Sequence, residues 1–172
     1  MSARPNPDEY SAYYGTYIIR VPEGVELLHL LREQPQELAN LLREVSDERA
    51  VERPAPAEWN IKEIVGHLND FERILTYRAL RFARRDATLI SGIEPLDYVR
   101  EYDASRFPLH DLLDEFIHLR AANVLLFKSF SEEMWLRRGV ASGVEASARA
   151  LVYVIAGHVD QHLESLRTVY LK

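Results

Sequence analysis

The sequence predicts an all-α fold, a four-helix bundle with a long crossover between its second and third helices. Three observations predict it. Apolar residues recur at helical spacing in four separated segments. Pro, Gly and Asn punctuate the chain between those segments. Strand signals are weak: only "YIIRV" (17–21) reads as a β-prone run, and it stands alone. The stretch 86–108 has no sustained period. It is too long for a tight antiparallel turn and therefore reads as the crossover.

Residues 1–22 are rich in Tyr and broken by Pro. They read as an N-terminal arm packed on the body, with room for a short helical turn. Residues 23–172 form a single bundle domain. The first helix spans 23–46, and Pro35 opens its main part or kinks it, because proline removes an internal donor. Pro54 and Pro56 break the loop 47–58. The second helix starts at Asn60, a good N-cap, and Glu63 three residues later completes a capping box. Ile61, Ile64, Val65, Leu68, Phe71 and Leu75 then make one apolar stripe. The third helix spans 109–130. A loop follows over 131–145, closed by Gly139 and Gly143. Ser147 caps the fourth helix, which runs to about Tyr170.

At 172 residues the chain is long enough for one sizeable core. Its 47% hydrophobic and 28% charged residues are those of a globular protein. A net charge of −6 disfavours phosphate backbones and anionic membranes, so neither nucleic acid nor membrane is an expected partner. No apolar run approaches the ~20 residues of a spanning helix. The N-terminus lacks a basic patch followed by an apolar core, so the expected location is cytoplasmic. There is no cysteine, which excludes disulfides, thiolate ligands and cysteine nucleophiles together. A metal would need His, Asp, Glu or water.

"VYVIAGHVDQHLESL" (152–166) places His158 and His162, one turn apart, on the apolar face of the fourth helix. Gly157 beside them allows a close backbone or ligand approach. Core histidines satisfied by neighbours are one reading. However, each neutral ring has a donor and an acceptor to satisfy, and an unpaired buried group costs about 1–3 kcal/mol. The i, i+4 spacing also aims both rings at one point, where a cation would satisfy them. Spacing alone leaves both readings open. His67, at the edge of the second helix's stripe, is the candidate third ligand. Three histidines leave positions open for water or substrate, as catalytic sites do. Asp70, one turn from His67, could orient a ring or a bound water, or stand as a solvated acid. It is the first residue to test as a general base. His29, His110 and His118 read as surface or boundary residues.

Arg120 and Asn123 fall on the buried face of the third helix. A buried guanidinium needs a carboxylate, and Glu63 or Glu72 could supply it. An internal ion pair is the favoured reading, and a clamp for a substrate anion the other. Arg78, Arg81 and Arg85 form a row that reads as a solvated face. No Gly-rich phosphate loop or GxSxG elbow is present. "HVDQH" is not HExxH, since Val159 stands where a zinc protease has its Glu.

"AEWNIKEIVGHLNDFERILTYRALRFARRD", "DLLDEFIHLRAANVLLFKSF" and "SARALVYVIAGHVDQHLESLRTVYL" together resemble the three blocks of DinB-like proteins, the DinB/YfiT superfamily of metalloenzymes. The resemblance runs from about residue 10 to the C-terminus. It implies a divalent ion, often nickel or zinc, held by His67, His158 and His162. It also implies a homodimer in many members, and in some a low-molecular-weight thiol such as bacillithiol or mycothiol. Three departures stand out. Asn60 replaces a usual Ser or Thr, Gln161 stands where relatives often have a second histidine, and "LISGIEP" replaces a Pro-Gly-Phe-acid stretch. Glu94 keeps an acidic residue in that segment and is a candidate substrate contact with Arg120 and Asn123. The expected function is a metal-dependent enzyme that activates water or a thiol for hydrolysis or thiol transfer on a small substrate. The alternative is a non-catalytic stress-response or binding module with a structural metal or none.

Overall fold

The computed structural model describes residues 3–172. Its helices are α1 (Ala12–Ile18), α2 (Leu27–Leu42), α3 (Asp47–Ala50), α4 (Ile61–Ala83), α5 (Pro95–Glu101), α6 (Leu109–Lys128), α7 (Glu132–Leu136) and α8 (Ala148–Ser165). The long helices α2, α4, α6 and α8 form the bundle, and α8 ends in a π-helical turn, Leu166–Tyr170. α4 packs against both α6 and α8, and α2 packs against α6 and α8. The expected capping box is present: Glu63 N–H donates to Asn60 Oδ1 at 2.9 Å, and Asn60 N–H donates to Glu63 Oε2 at 2.8 Å. Ser147 caps α8 by accepting from Ala150 N–H at 3.0 Å. No helix of the described residues is long and apolar enough to cross a membrane.

The isolated β-prone run 17–21, in a chain read as all-α, forms no strand. Its first residues end α1, which packs on α8 and buries Tyr14 and Ile18. Tertiary packing overrides the β propensity of Tyr and Ile there. Three expectations are corrected. The first helix does not fill 23–46. It begins after Glu26, whose carboxylate caps it, and stops at Leu42. Pro35 lies inside that helix rather than opening it. The donor that proline takes from Leu31 O is replaced by Arg120 Nη1, at 3.3 Å.

The loop 131–145 instead holds α7 and one strand of a small hairpin, β1 (Arg138–Ala141) with β2 (Val144–Ser147). Ser142 and Gly143 join the strands, with φ of 56° and 72°. Two positive φ values in a two-residue loop make the mirror-image turn that suits the twist of a hairpin. Ser142 N–H donates to Ile90 O at 3.1 Å, so the turn pins the crossover.

The apolar core divides in two. Leu31, Leu75, Phe82, Phe127, Leu151 and Ile155 lie in one cluster. Leu38, Leu68, Leu112, Phe116, Val159 and Leu163 lie in the other. Each long helix carries buried polar residues where the clusters meet: Gln34 on α2, His67 and Glu72 on α4, Arg120 on α6, and His158 on α8. All five are buried. A polar layer thus crosses the bundle at mid-height.

The N-terminal residues are tied to the bundle by Glu9, which is 4% exposed. Its carboxylate accepts from Arg149 Nε at 2.7 Å, Ser147 Oγ at 2.7 Å and Asn6 N–H at 2.8 Å. Burial alone would raise its pKa, but the Arg149 guanidinium and the Asn6 and Ser147 donors outweigh it and bring it down to about 2. A carboxyl with a depressed folded pKa stabilises the fold above its unfolded value, 4.5, and loses that contribution as pH falls toward 2. The urea midpoint of wild type should therefore exceed that of Glu9→Gln at pH 7. The gap should narrow as pH falls from 4.5 toward 2, and a constant gap would rule out this linkage.

Candidate metal centre

Three rings meet where α4 faces α8. His67 and His158 are buried and His162 half-buried. His67 Nε2 lies 3.0 Å from His158 Nε2, and His162 Nε2 lies 3.2 Å from His158 Nε2. The three ligand atoms all fall within 4.8 Å of one another. The spacing of the sequence thus brings His67, His158 and His162 to one point.

Aromatic rings enclose them. Phe71 lies 4.4 Å from His67 and 5.3 Å from His158, centroid to centroid. Trp59 is 4.8 Å from His67 and stacks parallel to His162 at 6.5 Å. Tyr17 of α1 meets His158 edge-on at 5.5 Å. Gly157 makes that approach available: a Cβ there would sit 1.9 Å from Tyr17 O.

The rings are held neutral. Burial, followed by the His162 charge, brings His67 down to about 3. Burial brings His162 down to about 4. His158 is pushed well below its ordinary value by burial, then by His162, His67 and Arg120. Three uncharged imidazoles keep their lone pairs at neutral pH, which is the state a cation requires.

The donor set fits a divalent ion. Nitrogens 2.0–2.1 Å from a tetrahedral zinc lie roughly 3.3–3.4 Å apart. The observed separations are slightly shorter. Both short contacts end on His158 Nε2, whose one lone pair in the neutral ring cannot fully satisfy two N–H donors. His67 Nδ1 is buried without a partner among the described residues.

Asp70, which could orient a ring or a bound water, gives that orphan atom no hydrogen bond. Asp70 makes no hydrogen bond among the described residues. Burial raises its carboxyl pKa, opposed by Arg73 and reinforced by Glu115. Arg120 and Asn123 are corrected as substrate contacts. Arg120 is 1% exposed and its fork is filled, with Nε and Nη2 each 2.8 Å from Glu72 and Nη1 2.9 Å from Gln34 Oε1. Asn123 Nδ2 donates to the same Glu72 at 2.9 Å. The carboxylate partner is Glu72; Glu63 faces Arg53 at 2.5 Å instead. Glu94 is exposed and caps α5 through Leu96 N–H at 3.3 Å. Its neighbours Ile93 and Pro95, not Glu94 itself, line the cavity beside His158. His29, His110 and His118 are exposed, as expected.

That cavity has a volume of about 240 Å³ and opens beside His158 between α1, α4 and the hairpin. Arg78 lines it. The helical pattern assigns Arg78 to a solvated row, and the structure turns it inward. Arg85 stays exposed, on Glu133, whereas the Arg81 side chain is largely covered and pairs with Asp86. The signal for Arg78 is its position on the His67 stripe, at i+11.

A helical bundle with a histidine cluster set into its core belongs to the class whose sites are built from side chains on facing helices. The chain is a member of the DinB superfamily, whose sequence model matches residues 30–166. YfiT from Bacillus subtilis, described as a probable metal-dependent hydrolase with an unusual four-helix bundle topology, has the same fold. Its TM-score is 0.77 at 12% identity, over 98% of this chain and 93% of that one. The mycothiol-dependent maleylpyruvate isomerase matches with a TM-score of 0.67 at 16% identity, over 82% of this chain. The match spans 59% of the isomerase's length. At these identities the likeness shows the fold alone. No curated protein matches the sequence.

Proposed function

We propose that this protein is a metal-dependent enzyme acting on a small molecule, with His67, His158 and His162 holding one divalent ion, nickel or zinc. The observation that carries the reading is the convergence of the three Nε2 atoms, all uncharged, beside a cavity. A bound ion would supply Lewis acidity to a water or a thiol, for hydrolysis or thiol transfer. The chain's own residues prepare that chemistry. Three imidazoles, not four, provide the side-chain ligands, which is the pattern of catalytic rather than structural sites. Trp59, Phe71 and Tyr17 wall the rings from bulk water and keep them neutral. His158 alone of the three lines the cavity, so a substrate would approach from that side. YfiT's description as a probable metal-dependent hydrolase and the mycothiol dependence of the isomerase support both chemistries.

Metal analysis of protein purified without chelator tests the proposal. About one divalent ion per chain is expected in wild type and close to none in His158→Ala. Full occupancy in the mutant would remove His158 from the ligand set and end the proposal as stated.

A further inference from the structure

Arg78 is 5% exposed, yet it has no carboxylate partner among the described residues. Its Nη2 donates to Ser142 Oγ at 2.8 Å, and Nη1 reaches Tyr14 Oη only at 3.5 Å. Its Nε is buried and unpaired. Among the described residues the comparably covered arginines are paired: Arg120 with Glu72, Arg149 with Glu9 and Arg81 with Asp86. A guanidinium cannot lose its proton inside a protein, so an uncompensated one calls for an anion.

The same side chain lines the cavity that His158 lines. His67, Phe71, Leu75 and Arg78 follow at i, i+4, i+8 and i+11 and share one stripe of α4. Phe71 touches the histidine rings at one end of that stripe, and Arg78 closes the other, about 10 Å of helix rise away. Leu75 and Phe71 supply an apolar wall between them.

From this geometry we infer that Arg78 is the anion-binding residue of the site and that the substrate is a carboxylate with an apolar body. The inference rests on the proposed function for the reacting end only; the Arg78 subsite stands on its own contacts. A carboxylate suits better than a phosphate. Among the described lining residues Arg78 is the one permanent cation, and away from His158 the wall is apolar and hydroxylic, so the Arg78 end balances a single negative charge. The planar fork meets a carboxylate with two parallel donors. Ser142, at the hairpin turn and on the same cavity wall, holds the guanidinium through Nη2.

Calorimetric titration with benzoate, benzamide and phenyl phosphate tests this, in metal-loaded and chelator-treated protein, with metal content measured on the same samples. Benzoate should bind at least tenfold tighter than its neutral isostere benzamide. In Arg78→Gln that preference should vanish while benzamide affinity is unchanged. Arg78→Lys, which keeps the charge and protects the fold, should lose the preference only in part. Equal binding of benzoate and benzamide to wild type overturns the inference without any mutant. So does a benzoate preference that survives Arg78→Gln, or one present only with metal bound, since the carboxylate would then sit on the ion. Tighter binding of phenyl phosphate than benzoate overturns the choice of carboxylate. Protein that carries no metal when purified without chelator, and takes none up on loading, yet still prefers benzoate would sink the proposed function and leave this subsite standing. Metal-replete protein with no preference would do the reverse.

Discussion

Glu72→Ala is expected to destabilise the protein by about 3–5 kcal/mol, because it strands a guanidinium in the middle of the bundle. Arg120 and Glu72 are each 1% exposed in their side chains, so water cannot take the lost partner's place. Glu72 Oε1 and Oε2 accept both arms of the fork, and Oε1 also accepts from Asn123. The mutation therefore leaves three donors short at once. For a domain of this size the loss corresponds to roughly 6–20 °C in melting temperature. The matched double mutant Glu72→Leu with Arg120→Met should recover most of it, since replacing a buried pair by apolar side chains is often neutral. It should not recover all. Leu31 O would lose the donor that stands in for the amide missing at Pro35, and Gln34 Oε1 would lose Arg120. Thermal melts of the single and double mutants measure both effects. A Glu72→Ala melt within a degree or two of wild type would mean that the pair is hydrated in solution.

The bundle and the three histidines were legible because both signals are local. Asn60 and Ser147 announce helix starts through short side-chain to backbone bonds, and those bonds form as expected. His158 and His162 stand out because polar residues on an apolar stripe violate the pattern. The rest depended on tertiary contacts. The hairpin strands are four residues each, too short for alternation to show, and Ser-Gly is a weaker turn signal than Asn-Gly. Tyr17 and Ile18, at the head of the β-prone run, favour a strand intrinsically and end a helix because α8 offers α1 a packing surface. The helical wheel of α4 puts Arg78 on the His67 side, but its place in a row with Arg81 and Arg85 makes it read as solvated. Only α1 and the turn at Ser142, neither visible from that helix, close over it. Asp70 makes no hydrogen bond to His67 for a related reason. It lies one turn from His67, but its charge is felt by Arg73 and Glu115, on a side the wheel cannot distinguish.

Gly157→Ala should release α1 from the bundle. A Cβ at residue 157 would lie 1.9 Å from Tyr17 O and 2.6 Å from Tyr17 C, both backbone atoms that no rotamer change can move. To regain ordinary contact the α1 backbone must retreat by about 1.5 Å. Overpacking of this kind costs about 1–3 kcal/mol, occasionally more. Ala gains about 1 kcal/mol over Gly in a helix interior, which offsets only part of that. The damage falls on α1 rather than on α8, because α1 has seven residues and α8 is buried along most of its length. Amide exchange over residues 12–18 should accelerate by an order of magnitude or more, while the amides of α4 and α8 around the histidines keep their protection. Metal content should survive, since His67, His158 and His162 lie on α4 and α8. The cavity should not, because α1 supplies Tyr14 and Tyr17 to its wall. Benzoate binding at Arg78 should therefore weaken in a protein that still holds its ion. If exchange over α1 is unchanged and benzoate binds as before, the backbone of Tyr17 does not rest on Gly157 in solution. The aromatic wall of the site must then be held some other way.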